Sequence, residues 1–186
     1  MKMFVSALAT VVATVGLSAA VSAGPITDYT VYAGNQVSIG NNNRVTGGLV
    51  GAGQKLTVGS GSAVTGLRIG GTGDFSGGSN LVVDGDIIGA DQVTLGSGSG
   101  VSGNVSGANK VTVNSNAVIG GSVTAGSLGA TINSGARVDG NVSGGSVSLS
   151  SGSYVGGNVT SGGSIYAHRN ATVVGTTTAW GHPANP

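Results

Sequence analysis

The chain has 186 residues, of which 38 are glycine, 3 are proline, none is cysteine and 7% are charged. Without cysteine there are no disulfides, so stability must come from apolar burial and backbone hydrogen bonds. Gly-rich linkers are often disordered, but disordered chains are poor in β-branched residues and rich in charge, and this chain is neither. A net charge of +1, with the charges scattered, argues against nucleic acid or an anionic membrane as the partner.

The first 23 residues have the pattern of an export signal. Lys2 supplies a positive n-region, residues 4–17 are mostly apolar, and Val-Ser-Ala at 21–23 has the small-residue form of a signal-peptidase site. The apolar run is too short and too rich in small residues for a membrane-spanning helix. We expect cleavage near Ala23, no membrane span in the mature chain, and a secreted or cell-surface location in a bacterium.

A lead-in (24–36) is followed by a repeat region at 37–178 and a tail at 179–186. The repeat is clearest in the fragment Val-Ser-Gly-Asn-Val at 101–105, which returns with a period of 17 to 19 residues. Repetition at a fixed short period predicts a solenoid rather than a globular core. The first residues of the fragments form a predicted core column: Val45, Val64, Val83, Val101, Ile119, Val138, Val155 and Val173.

A second element precedes each fragment and reads aliphatic, small polar, aliphatic, as in Val-Thr-Val at 111–113. Its alternation is that of a short strand with the apolar residues inside and the polar residue outside. In the third coil it reads Phe75-Ser76-Gly77, where we expect the aromatic ring to fill the space of the missing aliphatic. The polar residues form a candidate outward hydroxyl ladder: Ser38, Thr57, Ser76, Thr94, Thr112, Thr131 and Ser148, followed by Tyr166.

The two elements together predict an all-β, single-domain, three-sided parallel β-solenoid of about eight coils of 17–19 residues. The glycine inside each fragment permits a corner. The Asn, Asp or Ser that often follows is expected to bond to its counterpart one coil away. Coils stacked about 4.8 Å apart would form a rod of roughly 38 Å. A β-sandwich, the alternative, would need longer strands and variable turn spacing.

This repeat resembles that of bactofilins, bacterial proteins with a β-helical core that polymerises end to end without nucleotide. The resemblance covers residues 37–177 and concerns the pattern rather than a diagnostic motif; autotransporter passenger repeats share much of it. It implies a polymer-forming protein whose partner is another copy of itself. Bactofilins are usually cytoplasmic and membrane-associated, whereas this chain begins with a predicted export signal.

Candidate chemistry is sparse. Asp84, Asp86 and Asp91 fall in one coil and could offer oxygen ligands to Ca²⁺, but their spacing matches no calcium loop, and a solvated surface explains them better. His168 and His182 have no repeat partners, as a zinc or acid–base site would need. We therefore assign no catalytic, metal or cofactor-binding residue and expect a non-enzymatic protein.

The ends of the predicted rod favour self-assembly. The lead-in is too short for a substantial helical cap, although residues 176–186, which include Trp180, could fold over the last coil. A weakly capped solenoid with a net charge near zero can stack head to tail. The sequence thus predicts a secreted structural protein that forms an extracellular filament, matrix or surface layer. The alternative is a binding module, either an adhesin for cell-surface polysaccharide or an ice-binding rod that uses the hydroxyl ladder.

Overall fold

The structure, a computed structural model, describes residues 29–69 and 73–181, and within these ranges it contains 21 β-strands and no helix. All strand pairings are parallel and join strands about one coil apart in a single continuous sheet. This confirms the predicted three-sided parallel β-solenoid of about eight coils. The predicted export signal, the beginning of the lead-in and residues 182–186 of the tail lie outside the described residues.

The sheet has three faces, which we name A, B and C. Face A consists of β2 (Gln36–Ile39), β5 (Lys55–Val58), β7 (Asp74–Gly77), the ends of β8 (Val82–Leu95) and β10 (Val105–Val113), β13 (Gly129–Ile132), β16 (Val147–Leu149) and β19 (Ile165–Ala167). Face B consists of β3 (Arg44–Val45), the starts of β6 (Ala63–Ile69) and β8, β9 (Gly100–Val101), β11 (Val118–Ile119), β14 (Arg137–Val138), β17 (Tyr154–Val155) and β20 (Thr172–Val173).

Face C consists of β1 (Tyr29–Ala33), β4 (Leu49–Ala52), the end of β6, the middle of β8, the start of β10, β12 (Val123–Ala125), β15 (Val142–Gly144), β18 (Val159–Ser161) and β21 (Thr177–Ala179). It therefore holds nine strands in the described residues, whereas faces A and B hold eight each. The residues that the structure describes contain no helix that is long and apolar enough to cross a membrane.

The solenoid begins earlier than the sequence predicted. Strand β1 lies inside the expected lead-in (24–36) and pairs with β4, with Val31 opposite Val50 and Ala33 opposite Ala52. The side chains of Val31 and Ala33 pack against the core, which explains why this segment joins the sheet. At the other end, β21 extends to Ala179, the first residue of the predicted tail.

Three strands of the described solenoid are much longer than the others. Strands β6, β8 and β10 contain 7, 14 and 9 residues and continue around corners of the coil. In β8 the residues Ile88 and Gly89 together face the single residue Ser106 of β10. Such a β-bulge bends a strand without ending its pairing, and Gly89 has the positive φ of 88° that this bend requires.

The predicted core column is continuous. Its eight members pair in register from Val45 to Val173, and all are buried except Val173, which is half-buried in the last coil. Burial of each such aliphatic side chain stabilises the fold by about 1.5–3 kcal/mol. No coil could bury its aliphatic residues alone, so the core exists only because the coils stack.

The third coil fills its core differently, as the sequence predicted for Phe75. The Phe75 side chain is buried and occupies the column of Leu56 and Val93. A Cβ atom at Gly77 would stand 2.7 Å from Leu81 Cδ2 and 3.2 Å from the Phe75 ring. The ring and Leu81 therefore occupy the volume that an aliphatic residue fills in the neighbouring coils.

Candidate functional site

The candidate hydroxyl ladder forms one outward column on face A. Consecutive members are Cα partners from Ser38 through Ser148, and Tyr166 continues the column on the last coil. Ser38, Ser76 and Thr94 are exposed, and the other four hydroxyl residues are half-buried. Because neighbouring strands lie about 4.8 Å apart, the hydroxyls recur at that spacing along the rod.

The residues that flank this column are chemically mixed. On one side Lys55 lies opposite Asp74 in the strand pairing, so charged side chains border the hydroxyls. On the other side the Asn133 side chain donates a hydrogen bond of 3.0 Å to Asn114 Oδ1. The uniform part of face A is therefore a single column wide.

A second hydroxyl column, not anticipated from the sequence, runs along face C. Its members pair in register, and the Ser143 hydroxyl lies 3.5 Å from that of Thr124. Each residue follows the last valine of a Val-x-Gly-x-Val fragment or its degenerate copy, which is the sequence signal that would have identified it. The column consists of Ser106, Thr124, Ser143, Thr160 and Thr178.

The corner between faces B and C carries a ladder of side-chain acceptors, which we call the corner ladder. Every member except the last, Thr176, accepts a hydrogen bond from the backbone N–H of its counterpart in the next coil, at 2.6 to 3.0 Å. This confirms the expected bonding between counterparts, with the backbone as the donor. The ladder comprises Asp86, Asn104, Ser122, Asn141, Asn158 and Thr176.

The glycine before each corner residue makes room for this bond. At Gly157 a Cβ atom would stand 2.4 Å from Asn141 Oδ1 and 2.9 Å from the backbone carbonyl group of Gly140. Both distances are shorter than van der Waals contact, so a side chain would push the coils apart. The Gly-Asn pair of the repeat is thus explained by close approach of successive coils.

The corner ladder is absent from the second coil, and a depression of about 350 Å³ opens there. In the pairing of β6 with β8, Gly66 alone faces both Gly85 and Asp86, so the second coil is one residue shorter at this corner. The depression has an apolar lining of Leu49, Leu67 and Ile88. Its charged lining residues are Arg68, Asp84 and Asp86, which give it a rim of mixed charge.

The three aspartates considered as calcium ligands take part in separate contacts between coils. Asp84 accepts a hydrogen bond from the Ser102 hydroxyl at 3.1 Å, and Asp91 accepts one from the side chain of Asn109. Asp86 belongs to the corner ladder. Within the described residues no group of three side chains is arranged to hold a metal ion.

Of the two histidines, only His168 is in the described part of the chain. Its Nδ1 accepts a hydrogen bond of 3.2 Å from the backbone N–H of Asn170, which stabilises the last A–B corner. His182 lies outside the described residues. The imidazole of His168 therefore makes a local turn contact.

Comparison with known proteins assigns no relative: no protein-family model, curated protein or solved structure matches this chain. The surfaces that distinguish the molecule are its two hydroxyl columns, the depression on the second coil and the two ends of the solenoid.

Proposed function

We propose that this chain is an exported, non-enzymatic structural protein that assembles end to end into a filament, matrix or surface layer. The observation that carries the proposal is the pairing at the two ends of the described solenoid. Among the described residues, β2 and β3 pair only with β5 and β6, and β19, β20 and β21 pair only with β16, β17 and β18. A strand with one partner presents backbone groups that can template another strand.

The side chains of the last coil support the same proposal. Ile165 and Val173 are half-buried, whereas their neighbours in the preceding coil, Val147 and Val155, are 2% and 0% exposed. Val174 and Trp180 on the same coil are 63% and 78% exposed. A further coil stacked on this end would bury the side chains of Ile165 and Val173. Removing this apolar surface from water favours association.

The long sides of the rod suit an open end-to-end assembly. Faces A and C carry columns of small hydroxyl residues, whereas the outward column of face B mixes apolar and charged residues such as Val82, Val118 and Arg137. The six basic residues that follow the predicted signal balance six aspartates. With a net charge near zero, electrostatic repulsion between copies is weak. A head-to-tail contact of this kind does not close on itself and therefore generates filaments.

The proposal is tested by sedimentation of the chain over a range of protein concentrations, compared with two variants. Ile165→Lys places a charge in the last coil and should reduce assembly at least tenfold. The control Ser76→Lys adds the same charge at an exposed position in the middle of the rod and should leave assembly unchanged. Equal sedimentation of wild type and both variants as single chains would contradict the proposal.

The two hydroxyl columns support a second candidate, recognition of a regular surface such as ice or a cell-surface polysaccharide. Such recognition would use single rods, so it would not depend on protein concentration as assembly does. Thr131→Lys interrupts the column on face A without altering either end. Loss of ice recrystallisation inhibition or glycan binding in this variant would favour the second candidate; no binding by the wild-type rod would exclude it.

A further inference from the structure

The two ends of the solenoid do not fit each other as they stand. At the first end, faces A and B begin with β2 and β3, but face C begins one layer earlier with β1. At the other end, β19, β20 and β21 complete one full coil. Face C thus carries one strand more than either neighbouring face in the described residues, and the surplus must be accommodated at any joint between copies.

A joint that stacks each face on its own kind brings β1 and β21 into conflict. If β19 of one copy lies about 4.8 Å from β2 of the next, the inward columns of face A continue across the joint. The β21 strand of the first copy then falls in the layer over β4 of the second copy. In the isolated chain that layer is occupied by β1, which pairs with β4.

Rotating the second copy by one face would avoid the conflict but would mismatch the faces. The separate strands of face B, such as β11, β14 and β17, have two residues each. On face A, β13 and β16 have four and three residues. A rotated joint would pair strands of unequal length and interrupt every apolar column, so the joint that keeps the faces aligned is favoured.

Strand β1 is held less firmly than the strands inside the rod. Among the described strands it pairs with β4, and its register with β4 is irregular between Tyr29 and Val31. Val31 and Ala33 are half-buried, whereas their partners Val50 and Ala52 are 0% and 1% exposed. Strands with few buried contacts open at low free-energy cost.

We propose that copies join by strand exchange, in which β21 of one copy replaces β1 over β4 of the next copy. This inference rests on the proposed end-to-end assembly. It adds which strands meet at the joint between copies and which step limits the rate of assembly. In the new pairing, Thr177, Thr178 and Ala179 take the places of Val31, Tyr32 and Ala33. A strand donated in trans to an open sheet edge is an established mode of protein association. Release of β1 then sets the barrier to assembly.

A reversible covalent lock tests the exchange. Ala33 and Ala52 are Cα partners in adjacent strands, about 4.8 Å apart, which lies within the range of a disulfide. The chain contains no cysteine, so the double variant Ala33→Cys/Ala52→Cys can form only this bridge within one copy. We expect the oxidised variant to remain as single rods at concentrations where wild type forms filaments, and dithiothreitol to restore assembly.

The control lock is Val142→Cys/Val159→Cys, which joins two paired strands on the same face in the middle of the rod. It should assemble at the wild-type rate in both redox states. The variant Val31→Pro should have the opposite effect, because it removes a backbone donor from β1 and so weakens the pairing of β1 with β4. We expect the lag before light scattering rises to be several-fold shorter than in wild type. An unchanged or longer lag in this variant would overturn the exchange.

The outcomes separate this inference from the proposed function. If wild type and the oxidised Ala33→Cys/Ala52→Cys variant form filaments equally fast, end-to-end assembly stands and strand exchange is wrong. If wild type remains single while Val31→Pro forms filaments, strand exchange stands and the wild-type chain is not a polymer on its own. If neither wild type nor Val31→Pro assembles, both proposals are overturned.

Discussion

At the scale of single residues, the coils are held at their corners by polar side chains and glycines that act in pairs. In the pair Asn141 and Gly157, the amide oxygen of the first lies where a Cβ of the second would stand. The same oxygen accepts the backbone N–H of Asn158 at 2.8 Å. The glycine and the acceptor therefore depend on each other, and replacing either one should weaken the contact between adjacent coils.

Gly157→Ala should destabilise the fold by roughly 1–3 kcal/mol, because the added methyl group must displace an amide and a backbone carbonyl group. The matched control is Gly100→Ala, since a Cβ at that position meets no atom within 4 Å. Its effect should stay within about 0.5 kcal/mol of zero. Urea unfolding followed by circular dichroism measures both values, and equal effects in the two variants would refute this account of the corner.

Asn141→Ala should destabilise the fold by about 0.5–1.5 kcal/mol, because the N–H of Asn158 loses its acceptor at a partly solvated corner. Ser134→Ala serves as the control, since this exposed turn residue lies outside the corner ladder. The two variants should differ in the midpoint of urea unfolding. A stability of Asn141→Ala equal to that of the control would show that solvent replaces the bond without loss.

At the scale of the coil, the third coil fills a similar core volume to its neighbours with a different pattern of residues. Its residues Phe75, Gly77 and Leu81 occupy the positions of Leu56, Val58 and Ser62 in the second coil. The large ring of Phe75 is compensated by Gly77, which has no side chain. Leu81 fills a corner position that holds a small residue in the coils on either side. The coils can therefore stack in register despite their different composition.

This compensation predicts strong coupling between the three substitutions that convert the third coil into the second. Gly77→Val alone should cost about 1–3 kcal/mol through overpacking against Leu81 and Phe75. The triple variant Phe75→Leu/Gly77→Val/Leu81→Ser should be more stable than the sum of the single effects predicts. Thermal unfolding of the three single variants and the triple variant measures the difference, and additive effects would contradict the compensation.

The elements that the sequence predicted are those fixed by side-chain alternation. The inward columns and the hydroxyl column on face A follow from period-2 patterns, and the strand pairing places them in continuous columns. The corners were less predictable because their conformation depends on backbone pairing across coils. The short corner at Gly66, the bulge at Gly89 and the depression beside them follow from that pairing.

Strand β1 was missed for a related reason. Its segment lacks the glycine and spacing of the repeat, so alignment on the repeat places it outside the rod. It joins the sheet by pairing with β4, where the side chains of Val31 and Ala33 reach the core. An end strand needs no corner of its own, which is why a repeat pattern identifies the inner coils better than the ends.

At the scale of the whole molecule, the fold is a rod in which the end strands of the described residues each have a single pairing partner. The sides offer hydroxyl columns at a regular spacing, and the last coil offers half-buried Ile165 and Val173 with exposed Trp180. Parallel pairing makes the two ends different, so association through them has a direction. These properties together favour growth along the rod axis.

Electron microscopy of negatively stained chain, over a series of micromolar concentrations, tests end-to-end assembly most directly. We predict filaments one solenoid wide, with lengths that increase with protein concentration and an axial repeat of about 38 Å, set by eight coils at the strand spacing. Rods of one chain's length at every concentration would contradict the account.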